Sequence, residues 1–597
     1  MPGMAAKTMS KIAPRAIAAD PGSRLPVLAR LRNVGAAALL VAATLGAYGS
    51  AIRGGFIWDD AAHVQENRNL QDLGGLWRTW TDPSSLPQYY PLVHTTFWIE
   101  HHLWRLDPRG YHMVNVLLHA ASVIVLWRLL RRLGLPGAYV AAALFALHPV
   151  NVESVAWITE RKNVLSGLFY LLAMSAYLRF CPPEEPPADW QRPWRNYWLA
   201  AGLFACALLS KTVTASLPAA IAVILWWKRP RLRSRDLLPL APLLALGVVM
   251  GLMTAHLEQT HVGAVGEDWA LSPTERLLVA GRALCFYAGK LFWPDDLMFI
   301  YPRWKIDPGQ WQQWLFPIAA MAALAALWAL RRPIGKGPLA AGMLFAGTLA
   351  PALGFLSFYP MRYSYVADHF QYLAGIALLT LGAATAAELA TRARLPAWVR
   401  VAAGVAVCTI LATLTWRQGT IYRDLFSLYA DTLAKNPACW MAHNNLGREL
   451  ENRGDRDGAL EHYNAAIALK SDYGEAYYNR GNNYLLRKQF DRAIPEYNQA
   501  IEHTLQENTP AWIVMAYVNR GMTCALLGRF DDAMADCNRA IELDADSPAA
   551  YCNRAAIRYR WKQYDLAWQD VRQCREHSGI PPPALIRNLV RDSGRGE

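Results

Sequence analysis

Several features that are common in soluble proteins are scarce or absent in this sequence. Only 18% of its 597 residues are charged, whereas 53% are hydrophobic, which argues against a purely soluble chain. The nine cysteines form no C-x-x-C pair, so neither a zinc site nor a disulfide framework is indicated. The nucleotide-binding patterns G-x-G-x-x-G and G-x-x-x-x-G-K-[ST] are absent, as are the hydrolase motifs G-x-S-x-G and H-E-x-x-H. An enzyme with this sequence would therefore not use a conventional nucleotide-binding domain.

The formal net charge of +13 has its origin in short basic clusters rather than in one basic face. The clusters lie between apolar segments, at 128–132, 228–235, 331–336 and 392–400. This placement is typical of the cytoplasmic loops of membrane proteins. We therefore predict no nucleic-acid partner, and expect a membrane lipid environment instead.

Long apolar runs dominate residues 32–418. Eleven are long enough to cross the ~30 Å hydrocarbon core of a bilayer, at 35–52, 113–130, 137–152, 163–179, 197–210, 213–227, 238–255, 313–330, 338–357, 370–389 and 399–416. Segment 271–293 is also apolar, but it carries four charges that are costly in hydrocarbon. We predict an interfacial or re-entrant helix there. The predicted fold is all-α, with about eleven crossings and one interfacial helix, followed by a soluble helical part.

The basic clusters also give an orientation. An N-terminal tail at 1–31 is expected in the cytoplasm before an uncleaved first helix, and an odd number of crossings then places the C-terminal part on the opposite side. The predicted divisions are the tail 1–31, the membrane domain 32–418 with an outer loop 53–112, a repeat array 419–577 and a C-terminal tail 578–597. We expect a multi-pass protein, in a bacterial inner membrane, with a periplasmic repeat array.

Four similar segments recur in the last third of the chain. They begin at residues 442, 476, 516 and 550, at intervals of 34, 40 and 34, and three of them end in Gly. A 34-residue helix pair with small residues at the helix crossing is the signature of tetratricopeptide repeats (TPRs). We predict an α-solenoid that binds a protein or peptide; a rigid spacer or an oligomerisation surface is the alternative.

Two adjacent carboxylates, Asp59 and Asp60, directly follow the first apolar run. The loop that they begin is long and aromatic, and it also carries His94. Paired carboxylates at a membrane surface can act as a general base or hold a divalent metal ion. They can also be ordinary solvated loop acids, which is the simpler interpretation.

A second polar segment starts at His148 and contains Glu153, Glu160 and Arg161. Pro149 breaks the helix there, and broken helices at membrane depth are tolerated where protein or a wet cavity covers the backbone. Polar groups at this depth indicate function. The alternative is a buried ion pair that only fixes helix packing.

Isolated cations lie on the same predicted outer side, and together they could neutralise a lipid-linked phosphate. Each could instead be an interfacial residue whose charged end reaches water. The cations are Lys211, Arg276, Arg282, Lys290 and Arg362.

These motifs together resemble the transmembrane and tetratricopeptide repeat-containing (TMTC-like) family of the GT-C superfamily of membrane glycosyltransferases. The resemblance extends from about residue 40 to 575 and rests on nine segments: 56–60, 90–92, 111–119, 148–153, 160–161, 209–211, 287–294, 368–372 and 442–447. It implies sugar transfer from a polyprenyl-phosphate-linked donor to a protein hydroxyl, as in O-mannosylation. The repeats would bind the acceptor or a partner.

The resemblance also implies roles for individual residues. Asp59 or Asp60 would remove the proton of the acceptor hydroxyl, and some of the cations named above would stabilise the departing lipid phosphate. Residues expected to bind or shape the substrate site are His94, His148, Glu153, Glu160, Arg161 and Asp368. No cofactor beyond the lipid-linked sugar is implied, and a metal ion at Asp59 and Asp60 is permitted but not required. The alternatives are transfer to a lipid or surface glycan, and a non-catalytic TPR scaffold in the membrane.

Overall fold

The structure is a computed structural model that describes residues 25–185, 191–260, 266, 269–503 and 511–594. Most of the predicted N-terminal tail 1–31 lies outside these ranges. The described residues form helices, turns and bends without a strand, which confirms the all-α prediction.

Sixteen α-helices make up the first part of the described chain. They are α1 Leu25–Ala47, α2 Leu73–Thr81, α3 Pro91–Trp104, α4 Pro108–Arg132, α5 Ala138–Leu147, α6 Val152–Ala156, α7 Arg161–Phe180, α8 Trp194–Ser210, α9 Leu217–Lys228, α10 Ser234–Leu237, α11 Ala241–Thr260, α12 Pro273–Phe292, α13 Leu315–Ala329, α14 Gly337–Leu349, α15 Gly375–Arg392 and α16 Ala397–Ile421.

The predicted number of about eleven crossings is wrong. By length and composition, five described helical segments can cross a membrane: Pro108–Arg132, Ile158–Phe180, Ser234–Thr260, Trp311–Ala329 and Ala397–Ile421. A sixth is added if Ala138–Leu147 and Pro149–Ala156, which meet at a bend of 53°, count as one span. Other apolar runs form shorter helices, such as Thr212–Lys228 and Gly337–Ala352, because helix breaks rather than hydrophobicity set their lengths.

The charged apolar segment 271–293 forms the single helix α12. Ser272 caps it, and Glu275 accepts a hydrogen bond from the Ser272 backbone in a reciprocal capping box. The helix is not among the segments that can cross a membrane. Its place at an interface stays a prediction.

The C-terminal part forms the predicted helix pairs. After α17 Leu425–Lys435 come α18 Trp440–Asn452, α19 Arg456–Leu469, α20 Gly474–Leu486, α21 Phe490–Glu502, α22 Ala511–Leu526, α23 Phe530–Leu543, α24 Pro548–Arg560, α25 Tyr564–Glu576 and α26 Pro583–Ser593. A side chain on Gly447 would meet the Tyr463 ring at 2.7 Å, and one on Gly481 would meet Tyr497 at 2.8 Å. The small residues therefore permit close helix crossing, which is why the TPR pattern repeats them.

Two features of the last repeat were not predicted. Cys552 and Cys574 form a disulfide, which the cysteine spacing did not indicate. The segment taken as a C-terminal tail contains α26, which buries Leu585 and Leu589 against the preceding helix pair. The last repeat is thus closed by a covalent link and by an additional helix.

The first repeat contacts the membrane part directly. The ring of Trp440 lies 5.4 Å from that of Tyr363, which in turn lies 5.9 Å from that of Trp58. Lys435 Nζ donates a hydrogen bond of 2.8 Å to the Leu297 carbonyl. The repeat array therefore lies on the same side of the helix bundle as the loop that carries Asp59.

Candidate functional site

The loop after α1 folds inward at Trp58. This residue adopts a φ of 44°, a left-handed conformation that is strained for a bulky side chain. Its ring packs 4.7 Å from that of Phe299, and a π-helical turn, Ala61–Gln65, begins after Asp60. Unusual backbone of both kinds is frequent at functional sites.

Asp60 is fully buried, and both oxygens of its carboxylate accept hydrogen bonds. One oxygen accepts from the backbone N–H of Ile57 at 2.8 Å, and the other accepts from the backbone N–H of Thr159 at 2.8 Å and from the Thr159 hydroxyl. Burial, followed by the charge of Asp59, raises the pKa of Asp60 to about 8. Asp60 therefore ties the loop to the segment before α7.

Asp59 has different surroundings. Its side chain remains 27% exposed, and Oδ2 lies 3.7 Å from His63 Nε2. Oδ1 is buried and has no hydrogen-bond partner within the described part of the chain. Burial is the main reason that the pKa of Asp59 is raised to about 6, with Lys162 opposing the shift and Glu160 adding to it. Asp59 is thus reachable, incompletely bonded and suited to accept a proton near neutral pH.

Beside Asp59 lies a cluster of charges around Glu160, which is fully buried. Lys162 Nζ lies 2.9 Å from one oxygen of Glu160 and Lys211 Nζ lies 3.5 Å from the other. Lys211 also donates to Asn163 Oδ1 at 2.8 Å. Two ammonium groups thus share the Glu160 carboxylate, while Asp59 also acts on Lys162 and Glu153 also acts on Lys211. The ammonium groups are the candidate ligands for an anion.

A second pair of acids adjoins this cluster. His369 Nδ1 lies 3.1 Å from Glu153, and the His369 backbone N–H donates to the same carboxylate at 2.8 Å. Asp368 accepts from the Tyr301 hydroxyl at 3.0 Å and 3.1 Å. The structure brings Glu153, Glu160, Lys211 and Asp368 into one neighbourhood, since the Asn163 amide also donates to the His369 carbonyl at 3.0 Å. Their role in binding a substrate stays a prediction.

Arg161 belongs to the packing of the bundle. Its guanidinium is fully buried and binds both oxygens of Glu100, together with Asn115 and the Tyr111 carbonyl at 2.9 Å. These contacts favour the alternative interpretation for Arg161, in which a buried ion pair fixes the packing of the helices.

The two predicted histidines separate in space. His148 Nε2 lies 3.0 Å from the Leu291 carbonyl, so it joins α12 to the break after α5. His94 lies 3.4 Å from His63 Nδ1 through its Nε2 atom. Only His94 is therefore connected to Asp59.

The three other predicted arginines make contacts outside the cluster around Glu160. Arg276 donates to the Gly354 carbonyl at 2.7 Å, and Arg282 lies 4.4 Å above the Trp304 ring. Arg362 lies 5.5 Å from the Trp440 ring, at the junction with the repeats. The cations of the cluster around Glu160 are therefore lysines, whereas these three arginines contact neighbouring loops and the repeat array.

A metal ion held by Asp59 and Asp60 does not fit this geometry. Both oxygens of Asp60 already accept hydrogen bonds. Among the described residues, no group of three or more His, Cys, Asp or Glu side chains could hold a metal ion.

Four side chains of the site were not predicted from the sequence. Lys162 and Asn163 directly follow the predicted Glu160 and Arg161, and His369 follows Asp368. His63 lies four residues after Asp59 and shares a helical face with it. Each of the four lies within four residues of a predicted acidic residue, and this proximity in sequence could have indicated it.

Comparison with known proteins shows which families the chain resembles. The family described as dolichyl-phosphate-mannose-protein mannosyltransferase matches residues 91–254, and tetratricopeptide repeat families match 427–472, 445–510 and 514–547. The Drosophila melanogaster protein O-mannosyl-transferase Tmtc3 is 24% identical over 534 residues, which cover 75% of this chain and 56% of that protein. Over 75% of its length the chain is similar to a TMTC protein. With its spanning helices, this TMTC-like chain is an integral membrane protein.

Other TMTC relatives match shorter parts. Mouse protein O-mannosyl-transferase TMTC2 is 32% identical over 214 residues, covering 34% of this chain and 25% of that protein. Human TMTC1 is 32% identical over 210 residues, covering 32% and 24%. Among solved structures, that of MamA is 20% identical, with a TM-score of 0.23, and covers 26% of this chain and 80% of that one. The TMTC-like chain spans about half the length or less of these curated relatives.

Proposed function

We propose that this protein is a membrane glycosyltransferase that moves a sugar, mannose by analogy with its relatives, from a polyprenyl-phosphate donor to a protein hydroxyl. The observation that carries the proposal is the incompletely bonded carboxylate of Asp59 beside two lysines that share Glu160. A base and an anion site are the two groups that this transfer requires.

The reaction starts with an acceptor hydroxyl against Asp59. As the oxygen attacks the anomeric carbon, its proton moves to the Asp59 carboxylate and a new carbon–oxygen bond forms. The bond between the anomeric carbon and the phosphate oxygen breaks on the opposite face, so the configuration at that carbon inverts. The bonding electrons leave with the lipid phosphate.

Lys162 and Lys211 stabilise this leaving group. The donor is a phosphodiester with one negative charge, and the departing phosphate monoester carries up to two. The two ammonium groups attract the phosphodiester and favour the more highly charged product. Because Lys162 influences Asp59 electrostatically, the base and the anion site are close enough to act on one substrate.

The repeats present the acceptor on the side of Asp59. Contacts through Trp440 and Tyr363 support this placement, and the Cys552–Cys574 disulfide indicates an oxidising compartment. That compartment is the periplasm if the host is a bacterium. If the number of crossings is odd, the N-terminus lies in the cytoplasm.

The test uses the full chain in nanodiscs with polyprenyl-phosphate [³H]mannose and detergent-extracted membrane proteins. Wild type should label protein, Asp59→Asn should not, and Glu66→Gln, an exposed acid in the same loop, should behave as wild type. If the label appears only in lipid or glycan, the acceptor is a lipid or a glycan and not a protein. No label in any fraction, with the mannosyl, glucosyl and galactosyl donors each supplied, would favour a non-catalytic scaffold.

A further inference from the structure

Behind Asp59 lies a short row of polar side chains, called the file here, that the proposed mechanism does not use: His63, His94 and Asn67. His63 Nε2 is 3.7 Å from Asp59 Oδ2, and His63 Nδ1 is 3.4 Å from His94 Nε2. The two rings are stacked with centroids 5.2 Å apart. Asn67 Nδ2 lies 3.4 Å from His94 Nδ1, which completes the file.

Both imidazoles are buried, at 3% and 1% exposure. Burial lowers the pKa of His63 well below its usual value and lowers that of His94 to about 3. Each ring is therefore neutral and carries a single N–H. A buried neutral imidazole has one donor and one acceptor to place.

A neutral state of both rings fixes the direction of every contact. His63 Nε2 faces Asp59 Oδ2 at 3.7 Å, which is longer than a hydrogen bond. Since an ionised Asp59 can only accept, a hydrogen on His63 Nε2 is the arrangement that suits it, and His63 Nδ1 then accepts. His94 Nε2 must then donate to His63, and His94 Nδ1 accepts from the Asn67 amide. All three donors point along the file toward Asp59.

We propose that His63 is a positioning residue that holds one oxygen of the Asp59 carboxylate, and that His94 and Asn67 hold His63 in the required tautomer. The proposal rests on the proposed function, in which Asp59 is the base. The carboxylate keeps free acceptor positions for the acceptor hydroxyl, because Oδ1 has no hydrogen-bond partner among the described residues.

The charges that face this pair come from two directions. Asp60 adjoins Asp59 on its own loop, and Lys162 and Glu160 act on both Asp59 and His63 from the start of α7. His94 acts on His63 from α3. Removing His63 leaves these charges in place, and it removes a donor that favours the ionised carboxylate. The pKa of Asp59 should therefore rise in the absence of His63.

The experiment compares wild type with His63→Ala, His63→Gln and His94→Ala, and uses His102→Gln, an exposed histidine of the same loop, as the control. The rate of [³H]mannose transfer is measured against pH. His63→Ala should move the acidic limb upward by about one pH unit. His63→Gln, whose amide N–H replaces the imidazole donor, should restore its position, and His94→Ala should give a smaller shift. If His63→Ala lowers the transfer rate by the same factor at every pH, the proposal is overturned.

A second readout does not depend on activity. Isotope-edited infrared titration of the aspartate carboxyls, with Asp59→Asn identifying the band of Asp59, gives its pKa in wild type and in His63→Ala. An upward shift supports the proposal and an unchanged titration overturns it. If wild type transfers no sugar, the proposed function fails, and the infrared titration still decides whether His63 holds Asp59.

Discussion

Asp59 and Asp60 are neighbours in the chain, yet their carboxylates have opposite surroundings. Asp60 accepts from two backbone N–H groups and one hydroxyl. Asp59 has a partly exposed side chain and one oxygen without a hydrogen-bond partner among the described residues. The Asp-Asp pair therefore combines a structural residue with a candidate base, and the two can be separated by mutation.

Asparagine at the two positions should give different defects. Asp59→Asn should abolish transfer and leave the melting temperature near that of wild type. Above about pH 8, where Asp60 is ionised, Asp60→Asn points an amide N–H₂ at a backbone N–H and should destabilise the protein by about 1–3 kcal/mol. Thermal unfolding in detergent, together with the transfer assay, measures both. Equal stability of both variants would contradict the structural role of Asp60.

The transfer rate should fall as the pH drops through about 6. Burial raises the pKa of Asp59 to about 6, and a protonated carboxyl cannot take the proton of the acceptor. An unperturbed aspartate would place the limb about two units lower. A rate profile that is flat from pH 5 to pH 7 would contradict Asp59 as the base.

Stability should depend on pH through Asp60. Its pKa is raised from 3.8 to about 8 in the folded protein, so folding favours the protonated form. This contribution is fully present below about pH 4 and is lost as the pH rises through 8. Melting temperatures between pH 5 and 9 should fall less steeply in Asp60→Asn than in wild type; identical slopes would count against this shift.

Loss of Arg161 should be among the most damaging single changes. The residue is fully buried, and Arg161→Met would leave Glu100 as an unpaired charge, at a cost of about 3–5 kcal/mol. Arg423→Met removes a pair with Asp424 in which the arginine side chain is 66% exposed and should have little effect. Folded yield and thermal unfolding compare the two, and similar stabilities would argue against the buried pair.

Removal of the disulfide should loosen the end of the array. Cys552 and Cys574 are 22 residues apart, and a loop of this size corresponds to about 3 kcal/mol. In the doubly substituted Cys552→Ser, Cys574→Ser chain, limited proteolysis should cut the last repeat earlier and leave the membrane part intact. Non-reducing peptide mapping of wild type from its native membrane should show the linked peptides. Free thiols there would place the array in a reducing compartment.

The helical class and the repeat array were predictable from local patterns. The TPR sequence repeats because each helix pair needs the same small residues at its crossing, as Gly447 against Tyr463 shows. Such contacts are close in sequence, so spacing alone reveals them. The number of crossings was not predictable in this way, because an apolar run does not show where breaks such as that at Pro149 shorten its helix.

The chemistry of the candidate site was predictable only in part. Asp59, Glu153, Glu160 and Lys211 stand out in sequence because charged groups next to apolar segments are costly unless they have partners. The sequence by itself determined this set of polar residues, the all-α class and the repeats, since each depends on residue type and local spacing.

Only the tertiary structure decided the division of roles. Asp60 and Arg161 look as catalytic in sequence as Asp59 and Lys211, and they differ because distant segments supply their partners. Thr159 saturates Asp60 across 99 residues of chain, and Glu100 pairs with Arg161 across 61. Hydrogen bonds and ion pairs between distant segments depend on how the helices pack. In the part of the chain that the structure describes, that packing leaves one Asp59 oxygen without a hydrogen-bond partner beside the lysines.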